Sequence, residues 1–442
     1  MKRLLIYSLF IMAFFANPLV QKGLMPFYFT LWTEIGIILL CLYSLLYSLT
    51  HKRFRFFGWF SLLAVVITTM FSMGLNSQFD IRPIFSLRFL LRFYFLFIAM
   101  INIGLTEKDL KTLNGFILII LLIQLPVVAY KFSIYGISEM TIGTYELAEG
   151  SLTTSISFMV IIYLISYHGL YKPRLIFLIL IIAFFGWGVV GGKRAIFFLA
   201  PFVATMMYLL VYHKGKKRIA FKKGLILGLF GAGVFVCIIA GLIFIPTLNP
   251  EGKVGGSVDF KYAVDYAGKY TADETSDHYT RGRFSTTKRI YSVLLHHGLD
   301  HFLFGFGPGS RTKSVFDPPN WKWKDNDKFK IIYGVTPSTQ IAIEYGIVGT
   351  FSFGFLVASF VLLSRRYNKI ETDPYWKAFA TGSYGFSILM LFFYFAYHSP
   401  IFLGDTMPIL YYYAMAVVFI RHEICRKQSL KIVETRKTSS AV

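Results

Sequence analysis

Residues 4–20 read LLIYSLFIMAFFANPLV, a run of seventeen residues without one charged side chain. The hydrocarbon core of a bilayer is about 30 Å thick, and an α-helix needs roughly 20 predominantly apolar residues to cross it. A secretory signal would end at a small-residue cleavage site, which is missing here, and a second long apolar run follows at once. The stretch therefore predicts the first transmembrane helix of a chain that crosses the membrane many times.

Runs of the same kind continue along the 442-residue chain. Hydrophobic residues make up 55% of it and charged residues only 15%, a balance too apolar for an ordinary soluble protein. The pattern predicts an all-α polytopic membrane protein with about 12 transmembrane helices. We place these helices at residues 4–20, 28–49, 57–75, 87–104, 115–131, 153–169, 175–191, 195–212, 225–246, 337–363, 378–397 and 405–420.

The distribution of lysine and arginine predicts the orientation. The formal net charge is +22, but the basic residues cluster in alternate loops, such as HKRFRF at 51–56 and HKGKKRIAFKK at 213–223. This bias is typical of cytoplasmic loops, and it accounts for the charge without a nucleic-acid partner. Three cysteines lie in or beside apolar runs without metal-ligand spacing, so neither a disulfide framework nor a zinc site is predicted: Cys41, Cys237 and Cys425.

Four regions follow from this pattern. Residues 1–246 predict an N-terminal transmembrane bundle of about nine helices, 247–336 a large extracytoplasmic loop, 337–420 the C-terminal transmembrane helices, and 421–442 a cytoplasmic tail. The tail has the polar, unpatterned composition of a disordered end. A polar loop as long as 247–336 is uncommon without a function of its own, so we look for the site there.

The large loop changes character along its length. Residues 255–279, rich in Gly, Tyr and Asp, indicate irregular surface or a lid. The segment from Arg283 to Leu295 mixes basic and apolar residues and predicts an amphipathic helix lying at the membrane surface. HFLFGFGPG at 301–309 then predicts a short apolar segment that ends in a glycine-rich turn.

Basic side chains on both sides of this turn make an anion site a candidate. Guanidinium groups suit phosphate because their fork of donors matches its oxygens, and a glycine turn can also present backbone N–H groups to an anion. The alternatives are pairing with lipid headgroups or nearby acidic residues, and a plain tight turn. The candidates are Arg281, Arg283, Lys288, Arg289, Gly305, Gly307, Gly309, Arg311 and Lys313.

Further arginines lie in or near the apolar runs. VVGGKRAIFF at 189–198 puts Lys193 and Arg194 at the outer junction of two helices, where Arg194 either snorkels to the interface or faces a polar cavity. Arg82, Arg88 and Arg92 lie in another run, the last two at i and i+4 on one helix face. Because burying an arginine mid-bilayer costs roughly 2.5–3.5 kcal/mol on insertion scales, these positions are candidates for binding an anion.

Candidates for a general base are less distinctive. The loop carries four histidines, at 278, 296, 297 and 301, and each has the alternative of being an ordinary surface residue. The sequence shows no serine or cysteine nucleophile motif and no clustered carboxylates of metal-ligand type.

Two segments resemble one known family. RIYSVLLHHGLDHFLFGFGPG at 289–309 resembles the arginine-led amphipathic helix and glycine turn of the O-antigen polymerase and O-antigen ligase superfamily, and TPSTQIAIEYGIVGTFSFGFL at 336–356 resembles the membrane helix that follows. GGKRAIFF at 191–198 is similar to a basic motif at an outer helix junction of that family. The specific likeness covers about residues 185–360.

The resemblance implies a glycosyltransferase that works without metal or cofactor at the outer face of the bacterial cytoplasmic (inner) membrane. Its donor would be an undecaprenyl-pyrophosphate-linked oligosaccharide, with membrane lipid and a chain-length regulator as further partners. Arg194 and Arg289 would hold the pyrophosphate and His301 would serve as base. The substrate-binding set would be Lys193, Arg281, Arg283, Arg82, Arg88, Gly305, Gly307 and Arg311, with no metal ligand.

One departure from the family separates the possible reactions. Ligases of this family commonly carry a histidine just before the last motif, where this chain has GVTPSTQ at 334–340. The difference favours a polymerase that joins lipid-linked repeat units over a ligase that passes the glycan to lipid A-core or another acceptor. A third alternative, a transporter of lipid-linked sugars, should carry broken helices and charges near the midplane of paired repeats.

Overall fold

The computed structural model describes residues 2–76, 82–144, 151–193, 195–212, 235–236, 238–245, 248–272, 283–310, 335–397 and 405–439. Within these ranges the chain is helical and has no strand. A short 3-10 helix at Phe27–Leu31 precedes α2. The α-helices are α1 Lys2–Gln21, α2 Trp32–His51, α3 Trp59–Leu75, α4 Arg82–Asn102, α5 Glu107–Tyr135, α6 Ser151–Leu170, α7 Leu175–Val190, α8 Ala195–Tyr212, α9 Phe260–Ala272, α10 Arg283–His296, α11 Leu299–Phe304, α12 Pro337–Ile370, α13 Pro374–Ala396 and α14 Thr406–Ser439.

Five helical segments in the described part of the chain are long and apolar enough to cross a membrane. They are Phe27–His51, Glu107–Tyr135, Leu152–Leu170, Pro337–Ile370 and Pro374–Ala396. Four shorter apolar helices accompany them, at Trp59–Leu75, Leu90–Asn102, Leu175–Val190 and Ala195–Val211. The chain is therefore a multi-pass, all-helical protein of membrane type, as its apolar runs predict.

Consecutive long helices run antiparallel and define two ends of the bundle. The backbone N–H of Arg55, before α3, donates to Asn102 at the end of α4 (2.7 Å), and the Trp376 indole in α13 donates to Glu107 at the start of α5 (3.0 Å). We call the end that contains these contacts and Lys2 the tail end. The opposite end carries residues 283–310 and the start of α12, and we call it the loop end.

Eleven of the predicted helices lie where the apolar runs place them, and the twelfth, at 225–246, is described only at 235–236 and 238–245. Two further segments differ from expectation. Residues 255–279, expected to be irregular, instead contain α9, whose first turn is fixed by a hydrogen bond from the Tyr262 N–H to the Asp259 carboxylate (2.9 Å). The expected disordered tail is also helical, because α14 continues to Ser439 and buries Arg421 against two carboxylates.

Helix α12 is broken near its start. Pro337 to Tyr345 form a first segment, Gly346 leaves helical geometry, and the helix resumes to Ile370. Thr336 caps the first segment through a reciprocal pair of hydrogen bonds with Thr339. The sequence predicts one continuous helix here, so the break is a feature that only the structure reveals.

Candidate functional site at the loop end

The glycine turn and the break in α12 form one backbone unit. Gly346 has φ +66° and ψ −165°, a conformation essentially restricted to glycine. The carbonyls of Ile343 and Glu344, just before the break, accept hydrogen bonds from the N–H groups of Phe306 (2.9 Å) and Gly307 (3.1 Å). The turn thus satisfies backbone groups that the broken helix leaves without an intrahelical partner.

Helix α3 seals this unit from a third side. Ser72 Oγ donates to the carbonyls of Phe304 (2.6 Å) and Glu344 (3.0 Å), and Asn76 Nδ2 donates to the carbonyl of Gly305 (3.1 Å). A Cβ atom at Gly305 would come within 2.5 Å of the carbonyl carbon of Glu344. The two backbones therefore approach as closely as only glycine allows.

A buried carboxylate lies inside the unit. Glu344 is 3% exposed, and its Oε2 accepts hydrogen bonds from Ser86 Oγ (2.6 Å) and from the N–H of Gly309 (3.0 Å). Ser86 also contacts the hydroxyl of Tyr345 (2.9 Å). Glu344 thus ties the start of α4, the glycine turn and α12 together.

This geometry changes the role expected for the glycine turn. The N–H of Gly305 donates to the carbonyl of His301 (2.8 Å), while the N–H groups of Gly307 and Gly309 donate to Glu344. These amides are used inside the protein and do not point at a free anion. A substrate contact at Gly305 or Gly307 would have to use the outer surface of the turn.

Helix α10 lies on this unit and carries two of the candidate arginines. Its buried residues Thr286, Ile290 and Leu294 recur every fourth position, and Ile290 and Leu294 form an apolar cluster with Phe306, Val335, Ala342 and Ile343. Arg283 stacks its guanidinium 4.3 Å from the ring centre of Tyr397, just past the end of α13. Arg289 is half-buried, whereas the neighbouring Lys288 is exposed.

His301, the predicted base, lies beside a carboxylate at the surface of the turn. Its Nδ1 is 3.3 Å from Oδ2 of Asp300, and its ring packs 4.8 Å from that of Phe306. The backbone N–H of His301 donates a hydrogen bond to the Asp300 carboxylate and lowers the pKa of that carboxyl group. His301 Nδ1 is buried and makes no hydrogen bond within the described part of the chain, so the Asp300 carboxylate is close enough to favour an imidazolium electrostatically but does not orient the ring.

The junction after α7 reaches the same end of the bundle. Thr153 at the start of α6 packs against Gly191, and Tyr167 near its end packs on Phe177 at the start of α7, so these helices are antiparallel. Lys193 pairs with Glu139 (Nζ–Oε1 2.6 Å), an acid in the connection between α5 and α6. This pair depends on which helices are neighbours, and no spacing in the sequence predicts it.

The arginines of α4 lie in an ion-pair cluster. Arg92 is 9% exposed and reaches Glu34 (3.3 Å) and Asp405 (2.7 Å), whereas the more exposed Arg88 pairs with Glu34 (2.7 Å). Both arginines face one side of the helix, as their spacing predicts. Arg92 is thus buried between two carboxylates, which neutralise its charge inside the bundle.

Buried hydroxyls at the start of α6 were missed by the sequence analysis. Thr153, Thr154, Ser155 and Ser157 are all fully buried. Within the part of the chain that the structure describes, Thr154 Oγ1 and Ser157 Oγ have no hydrogen-bond partner. Serine and threonine are common at the N-terminal ends of helices, so their presence here does not by itself predict a buried polar cluster.

Several predicted site residues lie outside the described part of the chain. These are Arg194, His278, Arg281, Arg311, Lys313 and the side chain of Arg82. Among the described residues no group of histidine, cysteine and carboxylate side chains is arranged to hold a metal ion. No protein-family model matches the chain, and a search of curated proteins gave no match.

Proposed function

We propose that this protein is a membrane glycosyltransferase that polymerises surface polysaccharide. It would cross the cytoplasmic membrane of a bacterium about twelve times, with the loop end facing outward. It would transfer a glycan from an undecaprenyl-pyrophosphate-linked donor to another lipid-linked repeat unit, of O-antigen, capsule or exopolysaccharide. The products would be a longer lipid-linked chain and free undecaprenyl pyrophosphate.

One observation carries the proposal. The two segments that resemble the polymerase and ligase superfamily, at 289–309 and 336–356, are separate in sequence yet joined by backbone hydrogen bonds at Ile343 and Glu344. This joint fixes α10, and with it Arg283 and Arg289, on the loop end of the bundle. Arginines on a rigid support suit recognition of a membrane-bound anion better than arginines on a free loop.

The proposed reaction needs two things from the protein: positive charge that stabilises the leaving pyrophosphate, and correct orientation of the acceptor hydroxyl. An acceptor hydroxyl oxygen attacks the anomeric carbon of the donor sugar, and the bond from that carbon to the pyrophosphate oxygen breaks. The leaving pyrophosphate takes the electron pair, so cationic groups that stabilise developing negative charge lower the barrier. Arg289 and Arg194 would supply that charge, assisted by Arg281 or Arg283 and by Lys193.

The acceptor proton also needs a destination. His301 Nδ1 lies 3.3 Å from the Asp300 carboxylate, so an imidazolium formed by taking that proton would be stabilised. We therefore assign His301 as the base of the proposed reaction, with Asp300 as the charge that stabilises its protonated form.

The start of α12 supports polymerase over ligase. Thr336 and Thr339 cap the helix reciprocally, and Ser338 Oγ contacts Thr336 Oγ1 (2.9 Å) in the same buried turn. Ligases of the family that this chain resembles commonly carry a histidine in this segment. In this chain the segment instead caps the helix through Thr336 and Thr339. Transfer to lipid A-core remains the second proposed reaction.

The break in α12 is the observation that favours a transporter, since transporters commonly bind ions and substrates at broken helices. Here the carbonyls of Ile343 and Glu344 already accept hydrogen bonds from the glycine turn, and Ser72 adds another to Glu344. These carbonyls are occupied by the protein itself and do not line an ion site, so the enzyme proposal is preferred.

Substitution of Arg289 tests the proposal. Arg289→Ala should abolish polymer in cells while the protein remains in the membrane at its normal level. Lys261→Ala, at an exposed position on α9 outside the candidate set, is the control and should leave polymer length unchanged. Arg289→Lys should rescue poorly, because an ammonium lacks the bidentate geometry of a guanidinium. Normal chain lengths in Arg289→Ala and Arg194→Ala would reject the pyrophosphate assignment.

A further inference from the structure

An apolar groove lies in the half of the bundle nearest the tail end, away from the site described above. Its volume is about 290 Å³, close to the lower end of the ~300–1,000 Å³ typical of ligand sites. Side chains of α5, α6, α7, α13 and α14 line it, including the buried Leu121, Met159 and Leu410. Leucine, isoleucine, methionine, phenylalanine and tyrosine dominate the lining.

One side of the groove is open along α5. Lys111, Gly115 and Leu118 recur at i, i+4 and i+7, so they form a strip on one helix face, and all three are exposed. A Cβ atom added to Gly115 would meet no atom within 4 Å. The missing side chain therefore leaves an opening through which a chain could enter from the surrounding bilayer.

The mouth of the groove carries positive charge and tyrosine rings. Lys111 Nζ lies 5.7 Å from the ring centre of Tyr375, that ring packs 5.6 Å from Tyr171, and Lys172 Nζ lies 5.2 Å from the ring of Tyr171. Tyrosine and lysine at the end of an apolar surface are typical of the level of lipid headgroups. The paired rings thus lie between two ammonium groups.

Acidic side chains at the mouth offset part of this charge. Glu107 Oε1 accepts from Trp376 and pairs with Lys111 (2.8 Å), while Oε2 is held by the buried Arg421 (2.8 Å), which also pairs with Glu371 (2.9 Å). Lys111 therefore shares its charge with Glu107, and Lys172 supplies the rest of the positive charge that complements a phosphate.

We propose that this groove binds one acyl chain of an anionic glycerophospholipid, with its phosphate between Lys111 and Lys172. The apolar lining takes the chain, the open α5 strip admits it sideways, and the lysines select a negatively charged headgroup. This site is at the end opposite the proposed catalytic one and does not depend on the proposed function.

Native mass spectrometry of the full chain in detergent tests the proposal. The probes are phosphatidylglycerol and phosphatidylcholine with matched chains, and undecaprenyl phosphate. The wild-type protein should retain one phosphatidylglycerol in preference to phosphatidylcholine. Lys111→Gln together with Lys172→Gln should reduce that preference by about fivefold for each lysine, whereas Lys52→Gln, an exposed tail-end control, should not.

Filling the groove tests the position of the chain. Gly115→Phe puts a ring where the acyl chain would lie and should weaken phosphatidylglycerol binding by roughly tenfold or more, since each buried methylene makes many dispersion contacts. Gly115→Leu, a smaller change, should weaken it less. Gly186→Phe is the matched control, because Gly186 on α7 also has open space around a Cβ atom but does not line the groove.

Each result decides the proposal. Weaker phosphatidylglycerol binding by both Gly115 variants, with the larger loss in Gly115→Phe, unchanged melting temperatures and normal binding by Gly186→Phe, supports it. Equal retention of both phospholipids by wild type, or wild-type binding by Gly115→Phe, overturns it. Preferential retention of undecaprenyl phosphate also overturns it, because the groove would then be a polyprenyl site.

Discussion

Gly346→Ala should disrupt the joint between α12 and the glycine turn. The φ of +66° with ψ −165° is close to glycine-only, so alanine there costs about 1–3 kcal/mol in backbone strain. Its Cβ would also overlap the carbonyl of Leu303, a backbone group that cannot rotate away. Displacing the turn would weaken the two hydrogen bonds to Ile343 and Glu344, each worth about 0.5–1.5 kcal/mol. We expect a total loss of about 2–6 kcal/mol.

Thermal unfolding of the purified protein in detergent, with hydrogen exchange over residues 303–309, measures this effect. Gly74→Ala is the control, because Gly74 is helical and a Cβ there meets nothing within 4 Å. We expect Gly346→Ala to lower the melting temperature and speed exchange at Phe306 and Gly307, and Gly74→Ala to do neither. A melting temperature and exchange rates equal to wild type in Gly346→Ala would refute the proposed joint.

Other predictions concern the buried charges. Arg421→Ala should cost about 3–5 kcal/mol by leaving Glu371 buried without its cation, whereas Arg426→Ala, at a position that is 67% exposed, should be nearly neutral; thermal unfolding of both variants checks this. Burial alone would raise the pKa of Glu371, but its hydrogen bonds and Arg421 outweigh burial and lower the pKa below the ordinary 4.5. Its stabilising contribution should therefore be complete above pH 4.5 and be lost as the pH falls through the lower folded-state pKa, so Glu371→Gln should flatten the acid side of a melting-temperature profile. Arg92→Ala should destabilise by about 3–5 kcal/mol and Arg88→Ala by less than about 1 kcal/mol, since only Arg92 is buried between two carboxylates; equal melting temperatures would contradict this ranking.

The helices were predictable because their signal is local. The run at 175–191 is apolar for its whole length, and the structure has α7 over Leu175–Val190. The amphipathic pattern at Ile290, Val293 and Leu294 likewise predicted α10. These features follow from the composition and periodicity of one segment and need no distant partner.

The break at Gly346 was not predictable from the sequence, because it depends on distant parts of the chain. A single glycine in an apolar run is compatible with a continuous helix, and the groups that compensate for the break come from Ser72 and residues 306–309. Pairing of Lys193 with Glu139 and of Arg92 with Asp405 also depends on which helices are neighbours. The hydropathy of a segment does not indicate which other helices pack against it.

The tail illustrates the same limit. Residues 421–439 look polar and unpatterned, yet α14 continues through them because Arg421 turns inward to Glu371 and Glu107. Those two acids come from the start of α5 and the end of α12, and no spacing in the sequence links them to Arg421. Composition alone therefore suggested disorder where tertiary ion pairs support a helix.

Catalysis by the purified protein tests the central claim most directly. The protein is incubated in EDTA with a synthetic undecaprenyl-pyrophosphate oligosaccharide, first alone and then with a lipid A-core acceptor, and the products are separated on a gel. A metal-independent polymerase should form a ladder from the lipid-linked donor alone, and Arg289→Ala should not. Product only in the presence of lipid A-core would make the protein a ligase, and no transfer to either acceptor would contradict the glycosyltransferase proposal.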